Sequence, residues 1–210
     1  MKYFVITFIT SLFICSCNLK TKENSFKNDI FLVNNGGCVY KDTIQIESVG
    51  NNLFKDKSGN LYFKTVDNSQ EGKPMPLLIS RLYNSCEGDS TYDLSRNIDS
   101  KTFRNLGYNQ YKDKKNVFFY QEMLDGGNII ISGADAKTYT VIPHSFYGKD
   151  NANVYYQGHE IKIADPASFE GVFKIIETKN GFDTIFRYAK DSKYYYDGGD
   201  TCSKKIAEEY

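Results

Sequence analysis

The chain has 210 residues, which is enough for one compact domain or a short repeat array with a buried core. Its 26 Lys and Arg balance its 26 Asp and Glu, so the sequence lacks the clustered basic excess typical of nucleic-acid-binding proteins. Seventeen Tyr, 15 Phe, 16 Gly and 4 Pro favour strands and turns over long helices.

The N-terminus has the pattern of a signal peptide. Lys2 is followed by a mainly apolar stretch at residues 3–14, which is too short for the roughly 20 residues of a membrane-spanning helix. The next residues, Ile14-Cys15-Ser16-Cys17, resemble a bacterial lipobox, in which the final Cys is lipidated. We therefore predict a lipoprotein signal peptide at residues 1–16 and lipidation of Cys17. An ordinary secretory signal with two incidental cysteines is the alternative.

Residues 17–29 are polar and Lys-rich without an apolar period, which predicts a flexible tether. With Cys17 acylated, three cysteines remain, and in an oxidising compartment they allow at most one internal disulfide. We predict that Cys38 pairs with Cys86, because both lie in the N-terminal half. The sequence has no C-x-x-C pair, so it gives no support for a zinc site or for thioredoxin-like redox chemistry.

Residues 30–95 are predicted to form a β-rich N-terminal region. Short strands are expected at residues 30–33, 38–40, 43–46 and 61–63, whereas residues 77–83 fit either a strand or a helical turn. The turn at residues 55–63 is a degenerate copy of a motif that recurs further along the chain. That motif is a Lys-Asp pair, a turn ending in Asn, and an apolar-aromatic-aromatic triplet. Clearer copies occupy residues 112–119 and 147–156, and a shortened one occupies residues 190–196.

A second motif joins the first from residue 98 onward. Asp99, Asp135 and Asp165 each precede two variable positions, a hydroxyl residue and an aromatic residue. Such an Asp predicts an N-cap followed by one helical turn that places the aromatic ring in the core. The three Asp residues are 36 and then 30 positions apart, which is a supersecondary repeat length. A unit of this size must stack on its neighbours to bury its aromatic face. In the third copy, Asn180-Gly181 also predicts an added β-hairpin.

These two motifs resemble those of the DKNYY repeat family, which is found in bacterial exported and lipid-anchored proteins. The resemblance is carried by residues 113–119 and 150–156, extends over roughly residues 96–200 and is weak at residues 54–63. It implies a repeat region but no activity, because the family has no assigned catalytic residues.

Each candidate site has a simpler structural explanation. Asp56 begins a segment that resembles a calcium loop, but Leu61 occupies the position where an EF-hand needs Gly, so a turn is favoured and no metal is predicted. His144 and His159 have no recognisable nucleophile motif beside them. In the Lys-Asp pairs, Asp is predicted to form the turn and Lys to be solvated. Tyrosines could form a binding face; the candidates are Tyr155, Tyr156, Tyr194, Tyr195 and Tyr196.

The sequence thus predicts a mainly β fold, an array of hairpin or meander repeats at residues 96–210 with short helical turns. We expect a non-catalytic lipoprotein of the bacterial cell envelope, on the periplasmic or cell-surface side of a membrane, with the outer membrane favoured. Its expected partners are the membrane, through the N-terminal lipid, and a protein or glycan ligand. No cofactor and no nucleic acid are expected. The alternatives are an envelope hydrolase with an unrecognised site and an inhibitor or immunity protein.

Overall fold

The computed structural model describes residues 27–35, 38–69, 73–83, 90–178 and 181–209. In this part of the chain, seventeen strands form four sheets, accompanied by two short α-helices and one 3₁₀ turn. The prediction of a mainly β fold is therefore confirmed. Neither described helix has the length and apolar character needed to cross a bilayer. The predicted signal peptide at residues 1–16, Cys17 and residues 18–26 lie outside the described residues.

The first sheet closes into a five-stranded barrel. Its strands are β1 (Lys27–Asn34), β2 (Val39–Gly50), β3 (Leu53–Asp56), β4 (Leu61–Asp67) and β5 (Met75–Ile79). Consecutive strands pair antiparallel, and β1 closes the barrel by pairing parallel with β5. Two predicted boundaries need correction. Residues 38–40 and 43–46 belong to one long strand, and the predicted tether ends earlier because Lys27 already pairs with Ile46.

Side chains alternate between the two sides of each barrel strand, and both the interior and the outer face of the barrel are apolar. One buried cluster draws on all five strands and therefore fills the barrel interior. It consists of Phe31, Val33, Tyr62 and Leu78, with Ile44, Ile46 and Phe54 packed against them. The residues between them, including Leu53, Phe63 and Leu77, face outward and are also buried. The outer face is covered by α1 (Leu94–Asn97), whose Leu94 is buried, and by the sheet that follows.

The remaining sheets are three four-stranded antiparallel meanders, which we call unit 1 (residues 99–134), unit 2 (135–164) and unit 3 (165–202). Unit 1 contains β6 (Arg104–Gly107), β7 (Gln110–Lys112), β8 (Val117–Gln121) and β9 (Asn128–Ser132). Unit 2 contains β10 (Thr140–Val141), β11 (Tyr147–Lys149), β12 (Val154–Tyr156) and β13 (His159–Glu160). Unit 3 contains β14 (Glu170–Thr178), β15 (Gly181–Lys190), β16 (Tyr195–Asp197) and β17 (Asp200–Cys202).

Units 1 and 2 begin with the predicted helical turn. The amides of Phe103 and Tyr139 each donate to the carbonyl oxygen four residues earlier, at Asp99 and Asp135, over 2.9 Å. The aromatic residue at this position is buried in all three units, as predicted. In unit 3, β14 and β15 form the predicted hairpin, with Thr178 opposite Gly181.

A shared apolar interior joins the barrel and the units. The ring of Phe63 in the barrel packs edge-to-face on Tyr111 of unit 1, with centroids 5.3 Å apart. At the other end of the array, helix α2 (Lys204–Glu209) packs on unit 3, where the Tyr195 hydroxyl donates to Glu208 over 2.7 Å. Phe118, Phe119 and Tyr155 are all buried in this interior.

Candidate functional site: a groove between units 1 and 2

The Asp of the Lys-Asp pair organises the inside of each unit. In unit 2, Asp150 Oδ1 accepts the amides of Ala152 at 2.8 Å and Asn153 at 2.7 Å. Its Oδ2 accepts the amide of Asp135 at 2.8 Å and the hydroxyl of Tyr155 at 3.1 Å. A single carboxylate therefore holds together the two sequence motifs, 15 positions apart, that define a unit.

The same arrangement recurs in the other units. Asp113 Oδ2 accepts the amide of Asp99 at 2.8 Å, and Asp191 Oδ2 accepts the amide of Asp165 at 3.0 Å. Burial by itself raises the pKa of Asp150 and Asp191, but the backbone amides outweigh it, so the pKa of each carboxyl lies below its ordinary value. These carboxylates are ionised acceptors with saturated hydrogen bonds, which makes them structural groups.

Two of the five predicted binding-face tyrosines are buried. Tyr155 and Tyr196 are 2% and 0% exposed, so the prediction of a binding face was wrong for both. Their hydroxyls are bound by Asp150 and Asp191 inside the units. Burial, with a contribution from Asp150, raises the pKa of Tyr155 to about 12.

The other three tyrosines of that predicted face differ in exposure. Tyr194 is 45% exposed, whereas Tyr156 and Tyr195 are half-buried. The ring of Tyr156 packs against the buried Tyr147 with centroids 4.8 Å apart, and it lies against Gly198 of unit 3. Tyr156 therefore helps to fill the interface between units 2 and 3.

The prediction that the Lys of each Lys-Asp pair is solvated was wrong for Lys112. This side chain is buried, and its Nζ donates to the carbonyl oxygens of Ala136 at 2.8 Å and Tyr139 at 3.3 Å. Both carbonyls belong to the helical turn that begins unit 2. Lys112 therefore links one unit to the next, a role that the motif alone does not indicate.

Lys149 makes the same link between units 2 and 3. Its Nζ donates to the carbonyl oxygens of Pro166 at 2.8 Å and Phe169 at 3.0 Å. Lys190 of unit 3 instead forms an exposed ion pair with Glu170 over 3.1 Å. We call Lys112 and Lys149 the bridging lysines.

The remaining predicted candidates lie apart from one another. Asp56 forms a turn through Asn60, as favoured above, and no potential metal-binding group of His, Cys, Asp and Glu occurs among the described residues. The Nδ1 of His144 shares a 2.9 Å hydrogen bond with the Tyr108 hydroxyl, and His159 is exposed.

The cysteines are consistent with a single internal disulfide. Cys38 is disulfide-bonded, and Cys202 is present as a thiol. The partner of Cys38 is therefore Cys15, Cys17 or Cys86, which all lie outside the described residues. The Cys38–Cys86 pairing stays a prediction.

A groove of about 510 Å³ opens at the junction of units 1 and 2, which we call the first junction. Its floor is Phe119, only 3% exposed, and its side is Phe146, 41% exposed. The two rings meet at 90° with centroids 5.9 Å apart. The full lining is Asn109, Phe119, Gln121, Glu122, Met123, Phe146 and Gln157.

Two lining residues of the groove have an unusual backbone. Asn109 and Gln157 adopt positive φ angles of 61° and 50°, and Tyr108 and His144, which do not line the groove, adopt 52° and 58°. Only two other non-glycine residues in the described chain do so, both in the β2–β3 turn. Left-handed conformations of Tyr, His and Gln are disfavoured, and such backbone strain clusters at functional sites. The amide of Gln157 donates to the carbonyl oxygen of Phe146 over 3.0 Å, which ties two sides of the groove together.

The repeat region matches a known family. Residues 126–204 match the model of the DKNYY family. This match covers β9 and units 2 and 3, which is less than half of the chain. No curated protein and no solved structure matches the chain.

Neither motif predicted the groove, because Phe119 is the only residue of its lining that belongs to a motif. Asn109 and Gln157 are hairpin-turn residues, and Phe146 precedes β11. Only the packing of unit 1 on unit 2 brings them together. The one available clue was the unfavourable residue types in tight turns, such as Tyr108-Asn109 and Gln157-Gly158.

Proposed function

We propose that the protein is a non-catalytic binding module of the bacterial cell envelope, held at a membrane by lipid on Cys17, and that the groove at the first junction binds a glycan chain. The lining of the groove carries this proposal. A sugar ring presents apolar C–H faces and a ring of hydroxyl groups. The exposed ring of Phe146 suits the faces, and the side-chain amides of Asn109, Gln121 and Gln157, which both donate and accept, suit the hydroxyls.

The charge of the lining favours a neutral glycan over an acidic one. Among the described residues, Glu122 is the only ionisable one that lines the groove, and it would repel an anionic ligand. A single carboxylate also argues for binding over glycoside hydrolysis, since most glycosidases use a pair of carboxylates across the scissile bond. The open, half-apolar shape resembles the sites that proteins use for small ligands and chain segments.

Removal of one ring tests the groove. Neutral hexasaccharides of glucose and N-acetylglucosamine serve as probes, and isothermal titration calorimetry measures the dissociation constant with the mature chain. Phe146→Ala is expected to weaken binding about tenfold or more, because a stacked aromatic contact with its buried area contributes roughly 1.5–3 kcal/mol.

Tyr194→Ala provides the matched control. Tyr194 is exposed to a similar degree, 45% against 41%, but lies in unit 3. It is expected to leave the dissociation constant unchanged. Loss of binding in Tyr194→Ala with retention in Phe146→Ala would move the site to the tyrosine cluster and refute the groove. Failure of every probe to bind the wild-type chain at millimolar concentration would refute the glycan proposal.

Mass spectrometry of the mature N-terminus tests the membrane anchor independently. The expected species begins at Cys17 and carries a diacylglycerol and an acylated amine, since stable anchoring needs more than one acyl chain. Cys17→Ser is expected to stop lipidation and to release the protein from the membrane fraction. A wild-type chain that is cleaved elsewhere or carries no lipid would contradict this part of the proposal.

A further inference from the structure

A second cleft at the first junction is strongly basic. It encloses about 370 Å³ at the end of β7 opposite to the end that borders the groove. Four cationic residues line it, namely Arg104, Lys112, Lys114 and Lys137, against one acidic residue, Asp113.

The neighbouring carboxylates of Asp99, Asp113 and Asp135 offset this charge only in part. Asp113 is occupied by three backbone amides, and the nearby Asp135 binds its own helical turn. Lys114 forms a 2.8 Å ion pair with Asp99. In the described chain, Arg104 and Lys137 form no salt bridge. Among the described residues, Arg104, Lys112 and Lys137 thus form no direct ion pair, although Asp135 attracts Lys112 and Lys137 from nearby.

The strand register shows that unit 1 lacks the carboxylate that lies opposite the motif lysine in unit 3. Glu170 lies opposite Lys190 in unit 3 and supplies its counter-ion, whereas Arg104 lies opposite Lys112 in unit 1. Like charges directly across an antiparallel pair are destabilising. The position that holds a carboxylate in unit 3 therefore holds a second cation in unit 1.

Lys112 is also buried, with 7% of its surface exposed. Burial first, and then repulsion by Arg104, lower the pKa of its ammonium group. Two of its three N–H donors are used by the carbonyls of Ala136 and Tyr139. A bound anion would accept the third N–H and relieve the repulsion.

We propose that this cleft binds a phosphate group, with Arg104, Lys112 and Lys137 as its ligands. The guanidinium of Arg104 can donate two parallel hydrogen bonds to a phosphate, and the two ammonium groups add charge-assisted ones. The several oxygens of a phosphate group, which carries about two negative charges when free and one in a lipid diester, match three cations better than a single carboxylate would.

The second junction, between units 2 and 3, is an internal control. Thr140 there lies opposite Lys149, at the position of Arg104, and Asn151 and Ala167 take the positions of Lys114 and Lys137. The bridging lysine is conserved between the two junctions while the other cations are absent. The inference therefore predicts one phosphate site per chain, at the first junction.

Titration with inorganic phosphate tests the site. Phosphate replaces chloride at constant ionic strength while amide chemical shifts of the mature chain are followed by NMR. The amides of residues 136–139 are expected to shift saturably, and those of residues 167–169 to stay unchanged. Equal shifts at both junctions, or none at the first, would overturn the proposal.

Two variants of the exposed Arg104 sharpen this test. Arg104→Thr copies the second junction and is expected to weaken phosphate binding about tenfold, as for the loss of one charge-assisted contact. Arg104→Glu copies unit 3 and is expected to raise the melting temperature without phosphate and to abolish the phosphate response. A phosphate-dependent rise in melting temperature that is the same in all three proteins would be a general salt effect and would refute the site.

Vesicle flotation separates the two sources of the phosphate. If the group is a lipid headgroup, the chain without its own lipid is expected to float with vesicles that contain phosphatidylglycerol. The Arg104→Thr variant is expected to remain in the unbound fraction. If the group is a free phosphate, only the NMR titration responds. Absence of both responses would contradict the proposal, whatever the outcome for the glycan groove.

Discussion

The turn at Asp56 in the barrel and the turn at Asp150 in unit 2 use the same side-chain chemistry in two different architectures. Asp56 accepts the amide of Asn60 at 2.9 Å and the hydroxyl of Tyr62 at 3.1 Å, as Asp150 does from Asn153 and Tyr155. The difference is the partner of the second oxygen. In the barrel this oxygen binds the side chain of Asn60, and in unit 2 it binds the main chain of Asp135.

This difference shows that the Lys-Asp motif by itself specifies only a hairpin. In the barrel that hairpin, β3–β4, is closed into a ring by its neighbours. A stacking unit forms where the second Asp motif is tied to the turn and where a bridging lysine reaches the following unit. Each prediction below removes one of these components and compares the result with its counterpart elsewhere in the chain.

The largest effect is expected from Asp150→Ala. It leaves three backbone amides and the Tyr155 hydroxyl without their acceptor in a buried site, which we expect to cost roughly 3 kcal/mol of unfolding free energy. Asp56→Ala, in a more exposed turn, is expected to cost about 1 kcal/mol. Urea unfolding followed by tyrosine fluorescence measures both. Equal losses would mean that the Asp135–Asp150 link contributes nothing specific to the unit.

Removal of a bridging lysine comes next. Lys112→Met keeps the apolar length of the side chain but leaves the carbonyls of Ala136 and Tyr139 unpaired, at a cost of about 2 kcal/mol. Lys190→Met removes only an exposed ion pair and is expected to cost less than about 0.5 kcal/mol. Thermal unfolding compares them. A loss in Lys190→Met as large as that in Lys112→Met would contradict the bridging role.

A smaller effect is expected from the tyrosine that binds the motif carboxylate. Tyr155→Phe makes unit 2 resemble unit 1, where Phe118 takes the corresponding place five residues after the Asp. We expect it to cost about 1 kcal/mol, the value of one buried hydrogen bond. Phe118→Tyr is the reciprocal change, and an unchanged melting temperature in Tyr155→Phe would show that the hydroxyl is dispensable.

The smallest effect is expected from acid, which changes the difference in melting temperature between wild type and Asp150→Ala. The pKa of Asp150 is lower in the folded chain than its ordinary value of 3.8, so the unfolded chain binds more protons. The stability that this group contributes is complete above about pH 4 and is lost as the pH falls through the folded pKa. The gap in melting temperature between wild type and Asp150→Ala is therefore expected to be constant from pH 8 to pH 5 and to narrow below pH 4. A gap that widens in acid would contradict the sign of the shift.

The sequence predicted much of the repeat region because its signals are local. Helical turns are predicted by the capping side chains of Asp99, Asp135 and Asp165. A hairpin is predicted by the backbone preference of Asn180-Gly181. The burial of Phe103, Tyr139 and Phe169 followed from the need of a small unit to share its core. Tyr196 shows the limit, because a tyrosine suited to an exposed face is instead bound inside by Asp191.

Closure of the barrel was not predictable, because it depends on a parallel pairing between β1 and β5, more than 40 positions apart, for which no local pattern exists. The groove at Phe119 and Phe146 was missed for the same reason. Its two rings belong to different units, and their meeting depends on how Gly158 packs against Phe119 and Ile130 of unit 1.

By itself the sequence determined the mainly β fold, the helical turns of units 1 and 2 and the position of each repeat, since these depend on contacts between residues close in the chain. The tertiary structure decided the rest. Whether Lys112 is solvated or buried depends on the unit that packs against it, whereas Tyr155 donates to Asp150 of its own unit. Stacking sets the partners of Lys112, because a buried donor must find an acceptor and the neighbouring unit supplies it.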